Sequence, residues 1–427
     1  MVMSLGHYLR NMARLSDFHV PGVRASKQRL YAKDLDCPPV WRDKLSQTIP
    51  ASTFYLSSQG DLMSSLPPSA RAENMMCYFG HQGTYTPFHK EMCASLGQNI
   101  MVHTSNGGTD GTRAGSSVWF MTASVDREAI AEYWLSQLGH DVEVESHFAS
   151  VQDLARAPFK VYVHEQILGD YILIPPLAPH QVWNRGDVTM KAAWNRTTVE
   201  TLGLAITESL PKARLVCRDE QYKNRAIIHE TLRIWADVLN GGRDTPKDMD
   251  KCRMENDFAK LFNYFNRLLI DESFGPHMST PDFEKIDNEY NVTCSFCRAN
   301  IWNRFLTCKH CADIGDTDDD PYDICMDCYA RGRSCFCISQ LNWVEQHDWT
   351  ALVHDHETFR RIVEMVRDVP SVDIPVPLSR GIKQFGRKTL AQVCQEQLNT
   401  RPWQDLTKNG LEEEVWVITK YNLEGQY

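Results

Sequence analysis

Thr86-Pro87-Phe88-His89-Lys90-Glu91 is the stretch on which the first half of this chain turns. A His and a Glu two residues apart share one face of a strand, because side chains alternate along extended backbone. An imidazole and a carboxylate so placed can grip one side of a metal ion. A third ligand is offered by Ile174-Pro-Pro-Leu-Ala-Pro-His180-Gln-Val-Trp-Asn184, where His180 follows the apolar strand Tyr171–Ile174 and its turn Gly169-Asp170. Two His and one carboxylate on one face leave the other positions of an octahedral ion open, the arrangement of non-haem Fe(II) centres. With 15 His and 55 acidic residues, a chance His-x-Glu on a solvated strand edge is the competing reading of the pair alone.

Outward from this stretch, short apolar runs recur between Gly, Pro, Asn and Asp: Met75–Phe79, Ile100–Val102, Val118–Met121, Phe159–Val163, Tyr171–Ile174 and Val188–Trp194. Strands this short and this punctuated predict a sandwich or barrel. One helix, Arg127–Leu138, interrupts them. The period then changes. Ile228, Leu232, Trp235 and Leu239 repeat at helical spacing and stop at Asn240-Gly241-Gly242, and Phe258, Leu261, Phe262, Phe265 and Leu269 repeat it. Further helices are marked by Phe359, Ile362, Val363 and Val366, and by Leu390, Val393 and Leu398. The 427 residues thus divide into a lead-in (1–45), a β domain (46–196), a helical domain (197–290), a cysteine-rich module (291–346) and a largely helical extension (347–427).

Composition narrows the class. The chain is 42% apolar and 23% charged, as a globular protein is. No apolar run reaches the about 18 residues of a membrane span, and the first residues lack a signal-peptide segment. A net charge of −10 disfavours direct nucleic-acid binding through a phosphate-facing surface. Eight of the 14 cysteines fall between Cys294 and Cys337: Cys294-x2-Cys297, Cys308-x2-Cys311, Cys325-x2-Cys328 and Cys335-x-Cys337. Eight thiols are enough for two tetrahedral Zn(II) sites, and a tight C-x2-C turn chelates from one loop. A dense cluster in one region reads as a metal module, where a secreted disulfide framework would be spread through the chain.

The β region resembles a JmjC-type oxygenase. The resemblance rests on Tyr78-Phe-Gly, Thr86-Pro-Phe-His89-Lys-Glu91, Asn99, Val118-Trp-Phe-Met, Gly169-Asp-Tyr-Ile-Leu-Ile-Pro-Pro-Leu-Ala-Pro-His180 and Trp194-Asn195, in this order and spacing. It implies an α+β protein: a double-stranded β-helix (cupin or jelly-roll core), then a helical domain and a small two-zinc module. It implies Fe(II) held by His89, Glu91 and His180, with 2-oxoglutarate as cosubstrate. Thr86 matches a position that hydrogen-bonds the distal carboxylate of 2-oxoglutarate, Asn99 one lining the same site, and Asn195 one beside cosubstrate and substrate lysine. The pocket aromatics would come from Tyr78, Trp119, Trp183 and Trp194, each of which also reads as core.

One position departs from that pattern. The family's lysine for the distal carboxylate is replaced by Ser117, after the Gly-rich stretch His103–Gly115. A buried dicarboxylate without a cation costs several kcal/mol. Lys191, on the strand after His180, is the candidate replacement; a solvated strand-edge lysine is the alternative, and Arg113 and Arg196 are further substitutes. The cysteine run, with Tyr322-Asp-Ile-Cys-Met-Asp-Cys and Arg331-Gly-Arg-Ser-Cys, resembles ZZ-type fingers. That resemblance implies interleaved sites: Cys294, Cys297, Cys325 and Cys328 on one zinc, Cys308, Cys311, Cys335 and Cys337 on the other. ZZ fingers end in two His, so His347 or His354 competes with Cys337.

Three functions follow from the resemblance: a nuclear histone methyl-lysine demethylase, a protein hydroxylase that does not demethylate, and a catalytically weak scaffold whose zinc module binds a chromatin protein. The acidic stretch Asp313, Asp316, Asp318, Asp319, Asp320 and Asp323 reads as a solvated loop or as a dock for a basic protein tail such as a histone's.

Overall fold

The structure, a computed structural model, describes residues 4–16, 29–57, 60–106, 114–242, 250–275, 277–287, 290–311, 321–335, 341–366 and 375–401. The chain forms two compact units: Met1–Pro67 with Arg71–Val216, and Pro68–Ala70 with Cys217–Tyr427.

Among the described residues nine strands build the first unit: β1 (Ala32–Asp36), β2 (Met76–Gly80), β3 (Tyr85–His89), β4 (Leu96–Thr104), β5 (Ser116–Thr122), β6 (Val161–Gln166), β7 (Tyr171–Ile174), β8 (His180–Arg185) and β9 (Thr189–Arg196). They form two antiparallel sheets, β1-β2-β9-β4-β7 and β3-β8-β5-β6. From β2 to β5, and again from β6 to β9, successive strands alternate between the sheets, which is the winding of a double-stranded β-helix. The expected α+β class with a JmjC-type core is the architecture observed.

Strand alternation decides where the apolar cores lie. Met190, Ala192 and Trp194 of β9 join Cys77 and Phe79 of β2 and Ile100 and Val102 of β4 in one outer core, with Tyr8 and Met12 from the lead-in. Phe88, Val118 and Phe120 join Ile130, Tyr133 and Trp134 of the helix Arg127–Leu138 in the other, where Phe88 and Trp134 stack at 4.0 Å. Fully burying side chains of this size stabilises the fold by about 1.5–3 kcal/mol each. The intervening residues of the same strands therefore point between the sheets. There the apolar content is small: Trp119, Ile174 and Val182, with Met121 and Ile172 against them. The rest of that interior is polar, and it holds the candidate site.

In the second unit the helices Asn224–Leu239, Lys251–Glu272 and Trp349–Met365 pack through aromatic edges, with Phe359 against Phe258 at 5.9 Å and Phe265 at 5.6 Å. A small sheet joins β10 (Glu284–Lys285), β11 (Phe305–Cys308), β12 (Tyr322–Cys325) and β13 (Asn342–Glu345) in the order β10-β13-β11-β12. Among the described residues no helix is long and apolar enough to cross a membrane.

Candidate metal and cosubstrate site

His89 ends β3 and His180 begins β8, and the two are partners across the sheet. Glu91 lies just beyond β3 in still-extended backbone (φ −58°, ψ 137°), so it keeps the same-face relation to His89 after the strand has ended. Ligand atoms of His89, Glu91 and His180 all lie within 4.8 Å of one another. The imidazole centroids are 4.2 Å apart, and His180 Nε2 is 3.5 Å from Glu91 Oε1.

Backbone carbonyls set the tautomers. His89 Nδ1 is 2.8 Å from Pro87 O, and His180 Nδ1 is 3.0 Å from Ala178 O. A carbonyl only accepts, so each Nδ1 carries the proton and each Nε2 keeps its lone pair for a metal. Burial, then the neighbouring His89, pushes the His180 pKa down to about 4, with Glu91 and Glu145 pulling the other way. His180 is therefore neutral at pH 7, as a ligand must be. Trp119 stacks on its ring at 5.6 Å and donates from Nε1 to Gln166 Oε1 at 2.9 Å. This donor set suits an oxygen-loving divalent cation.

A second polar group sits deeper between the sheets. Lys191 Nζ donates to Ser117 Oγ at 3.2 Å and to Asn184 Oδ1 at 3.0 Å, and Ser117 Oγ donates to the same Asn184 oxygen at 2.7 Å. Lys191 is 2% exposed and makes no ion pair with a carboxylate among the described residues. Burial alone lowers its pKa from 10.5 to about 7. The small Ser117 side chain leaves the space into which Lys191 extends from the opposite sheet. Tyr31 closes the same group. Its hydroxyl is buried beside Asn184 and Thr86 and makes no hydrogen bond of normal geometry among the described residues. Burial raises its pKa, and those two side chains act in the opposite sense. A buried cation without a counter-ion and an unsatisfied phenol, with Thr86 beside them, fit an anionic carboxylate.

The remaining sequence-predicted residues among those described have protein partners of their own. The Asn195 amide is spent on Glu91 Oε2 at 2.7 Å and Ser95 Oγ at 2.6 Å. Asn99 is buried on β4 and accepts from Gln166 Nε2 at 3.1 Å. Arg196 points to the backbone oxygens of Ser52 and Gly60; Arg113 lies outside the described residues. Trp194 belongs to the outer core and donates to Thr53 O at 2.9 Å. Tyr78 donates to Asp34 Oδ1 at 2.8 Å. Sequence reading passed over Tyr31, Asn184, Gly97 and Glu145. Only Asn184 carried a signal, standing four residues after His180, at the same inward phase of β8.

In the second unit Cys294, Cys297, Cys325 and Cys328 converge, all buried, and Cys308, Cys311 and Cys335 form a second group. Each group has ligand atoms within 4.8 Å of one another, close enough for a zinc site. The backbone N–H of Cys325 donates to Cys294 Sγ at 3.4 Å. Neither His347 nor His354 joins the second group. His347 packs instead against Trp302 and His229. Cys337 and Asp313 to Asp320 lie outside the described residues.

Residues 76–195 match the family described as JmjC domain, hydroxylase. Over 342 residues, 75% of its length, the chain is 32% identical to C-module-binding factor A of Dictyostelium discoideum. It spans 33% of that relative's own length.

Proposed function

We propose that this chain, which carries a JmjC domain, is an Fe(II)- and 2-oxoglutarate-dependent oxygenase acting on a protein, with methyl-lysine in a nuclear histone tail as its substrate. The supporting observation is Lys191: its ammonium reaches the spot that Ser117 leaves open, between the same two sheets that hold His89, Glu91 and His180. When bound, iron and 2-oxoglutarate supply oxidative decarboxylation to succinate and CO2 coupled to hydroxylation of a substrate C–H bond. His89 and His180 would present Nε2 to the metal while their Nδ1–H groups keep donating to backbone carbonyls. Lys191, Tyr31 and Thr86 would hold the distal carboxylate of the cosubstrate. Trp119 walls the site and limits water. A hydroxylated N-methyl group then breaks down to formaldehyde and the demethylated amine. The zinc module, with eight thiolates including Cys337, holds two Zn(II) ions and orients the protein tail.

The relative's name favours a second reading, in which the chain is a binding factor whose oxygenase fold serves as scaffold. Incubating the full chain with Fe(II), 2-oxoglutarate and methylated and unmethylated histone peptides separates the readings. Succinate with formaldehyde is the expected result; succinate alone marks a hydroxylase, and release of neither marks the scaffold.

A further inference from the structure

The carboxylate of the triad is a glutamate, one methylene longer than an aspartate, and the fold accommodates that length at one place. Gly97 of β4 lies directly against it: a Cβ built there would stand 2.7 Å from Glu91 Oε1 and 2.8 Å from Glu91 Cδ. Those distances are well inside van der Waals contact, so any larger residue at 97 displaces the carboxylate. The other carboxylate oxygen is held from the neighbouring strand. Asn195 of β9 is the register partner of Gly97, and its Nδ2 donates to Glu91 Oε2 at 2.7 Å and to Ser95 Oγ at 2.6 Å. Ser95 in turn donates to Met92 O at 2.8 Å. It therefore accepts from Asn195, which fixes which end of the amide faces Glu91. Asn74 locks the base of Asn195, accepting from its backbone N–H at 2.9 Å and donating to its carbonyl at 2.6 Å.

We propose that Gly97 and Asn195 are positioning residues that make Glu91 a one-oxygen ligand. Oε1 is left facing His180, and Oε2 is tied to β9. The inference rests on the metal reading of the triad and adds to it what controls the denticity. The consequence is coordination arithmetic. Two imidazoles and one carboxylate oxygen leave three positions of an octahedral ion, enough for a chelating keto acid and one more ligand. A carboxylate binding through both oxygens would leave two, which the keto acid alone would fill.

The test is a double-mutant cycle read by Mn(II) binding to the zinc-loaded full chain, using calorimetry or the Mn(II) paramagnetic resonance signal. Mn(II) favours oxygen and imidazole donors and leaves thiolate sites to zinc. Gly97→Ala is expected to weaken Mn(II) binding at least about tenfold in the Glu91 chain. In a Glu91→Asp background, where the carboxylate is one methylene further back, the same substitution should cost less than about threefold. A Cβ at 97 would also meet Ile174 Cδ1 at 2.9 Å. That contact is common to both backgrounds and cancels in the cycle. Asn195→Ala should weaken Mn(II) roughly 10–100-fold, as loss of an outer partner of a ligand does. Equal Gly97→Ala penalties in both backgrounds, or an unchanged affinity in Asn195→Ala, overturn this inference and leave the metal site standing. If Glu91→Asp alone abolishes Mn(II) binding, Asn195→Ala decides. Failure of the unsubstituted chain to bind Mn(II) overturns both readings.

Discussion

Lys191 carries an electrostatic cost of burial beside the candidate site. Its pKa is 10.5 in the unfolded chain and about 7 in the folded one. Between those values the unfolded chain binds a proton that the folded chain does not, so raising the pH favours the fold. The cost of the buried ammonium is fully felt below about pH 7 and relieved toward pH 10.5. Cosubstrate affinity runs the other way, because the dicarboxylate needs the ammonium. In the Mn(II)-loaded chain, 2-oxoglutarate affinity should hold below about pH 7 and fall above it, by at most tenfold per pH unit. Lys191→Met should melt at a higher temperature, bind 2-oxoglutarate at least about tenfold more weakly at pH 6.5, and lose that pH slope. Calorimetry from pH 6.5 to 9 on both chains checks it; a mutant with unchanged affinity would remove Lys191 from the role. Lys191 could be nominated from sequence because its strand follows His180. Tyr31 could not, since only the pairing of β1 with β2 brings it near Thr86 and Asn184.

At the scale of elements, what was readable depended on which faces are apolar. The helix Arg127–Leu138 matches its expected bounds, and Gly139 in the left-handed region (φ 70°) supplies its stop. Trp134 from this helix covers the β3-β8-β5-β6 sheet. Trp134→Ala should cost about 3–5 kcal/mol of unfolding free energy, measured by urea denaturation, and leave the zinc content unchanged. Strands with a buried apolar face, such as β5 and β9, were visible as apolar runs. β8 was not, because its inward positions are His180, Val182 and Asn184 and its outward ones include Gln181. A strand whose core-facing side is a polar site loses the alternation by which strands are recognised. The strands of the small second sheet were missed for a related reason: they are two to four residues long, and in β11 and β12 a terminal cysteine does the work that apolar repeats do elsewhere. That sheet should depend on metal. Cys328→Ser is expected to drop the zinc content by about one ion per chain and to destabilise the second unit, checked by elemental mass spectrometry and amide exchange across β11 and β12. Full zinc retention would remove Cys328 as a ligand.

Charge governs the molecule as a whole. The formal net charge is −10, and metals would not reverse it. Two Zn(II) ions in four-thiolate sites would add about −4 and one Fe(II) about +2, giving roughly −12. Near the triad the carboxylates of Glu91 and Glu145 both act on His180. Of the buried lysines by the site, Lys90 is already paired with Glu143, and the cosubstrate would neutralise Lys191. A substrate approaching this field is favoured if it is cationic and penalised if it is a polyphosphate. A partner bound through phosphates would instead require a positive surface. The two can be separated by titration in fluorescence anisotropy. A trimethyl-lysine histone peptide should bind more tightly than a duplex DNA of similar mass at 0.15 M salt. Its affinity should fall between 0.1 and 0.5 M as the Debye length shortens from about 10 Å. Tighter binding of the DNA, or peptide affinity indifferent to salt, would count against a basic protein tail as the partner.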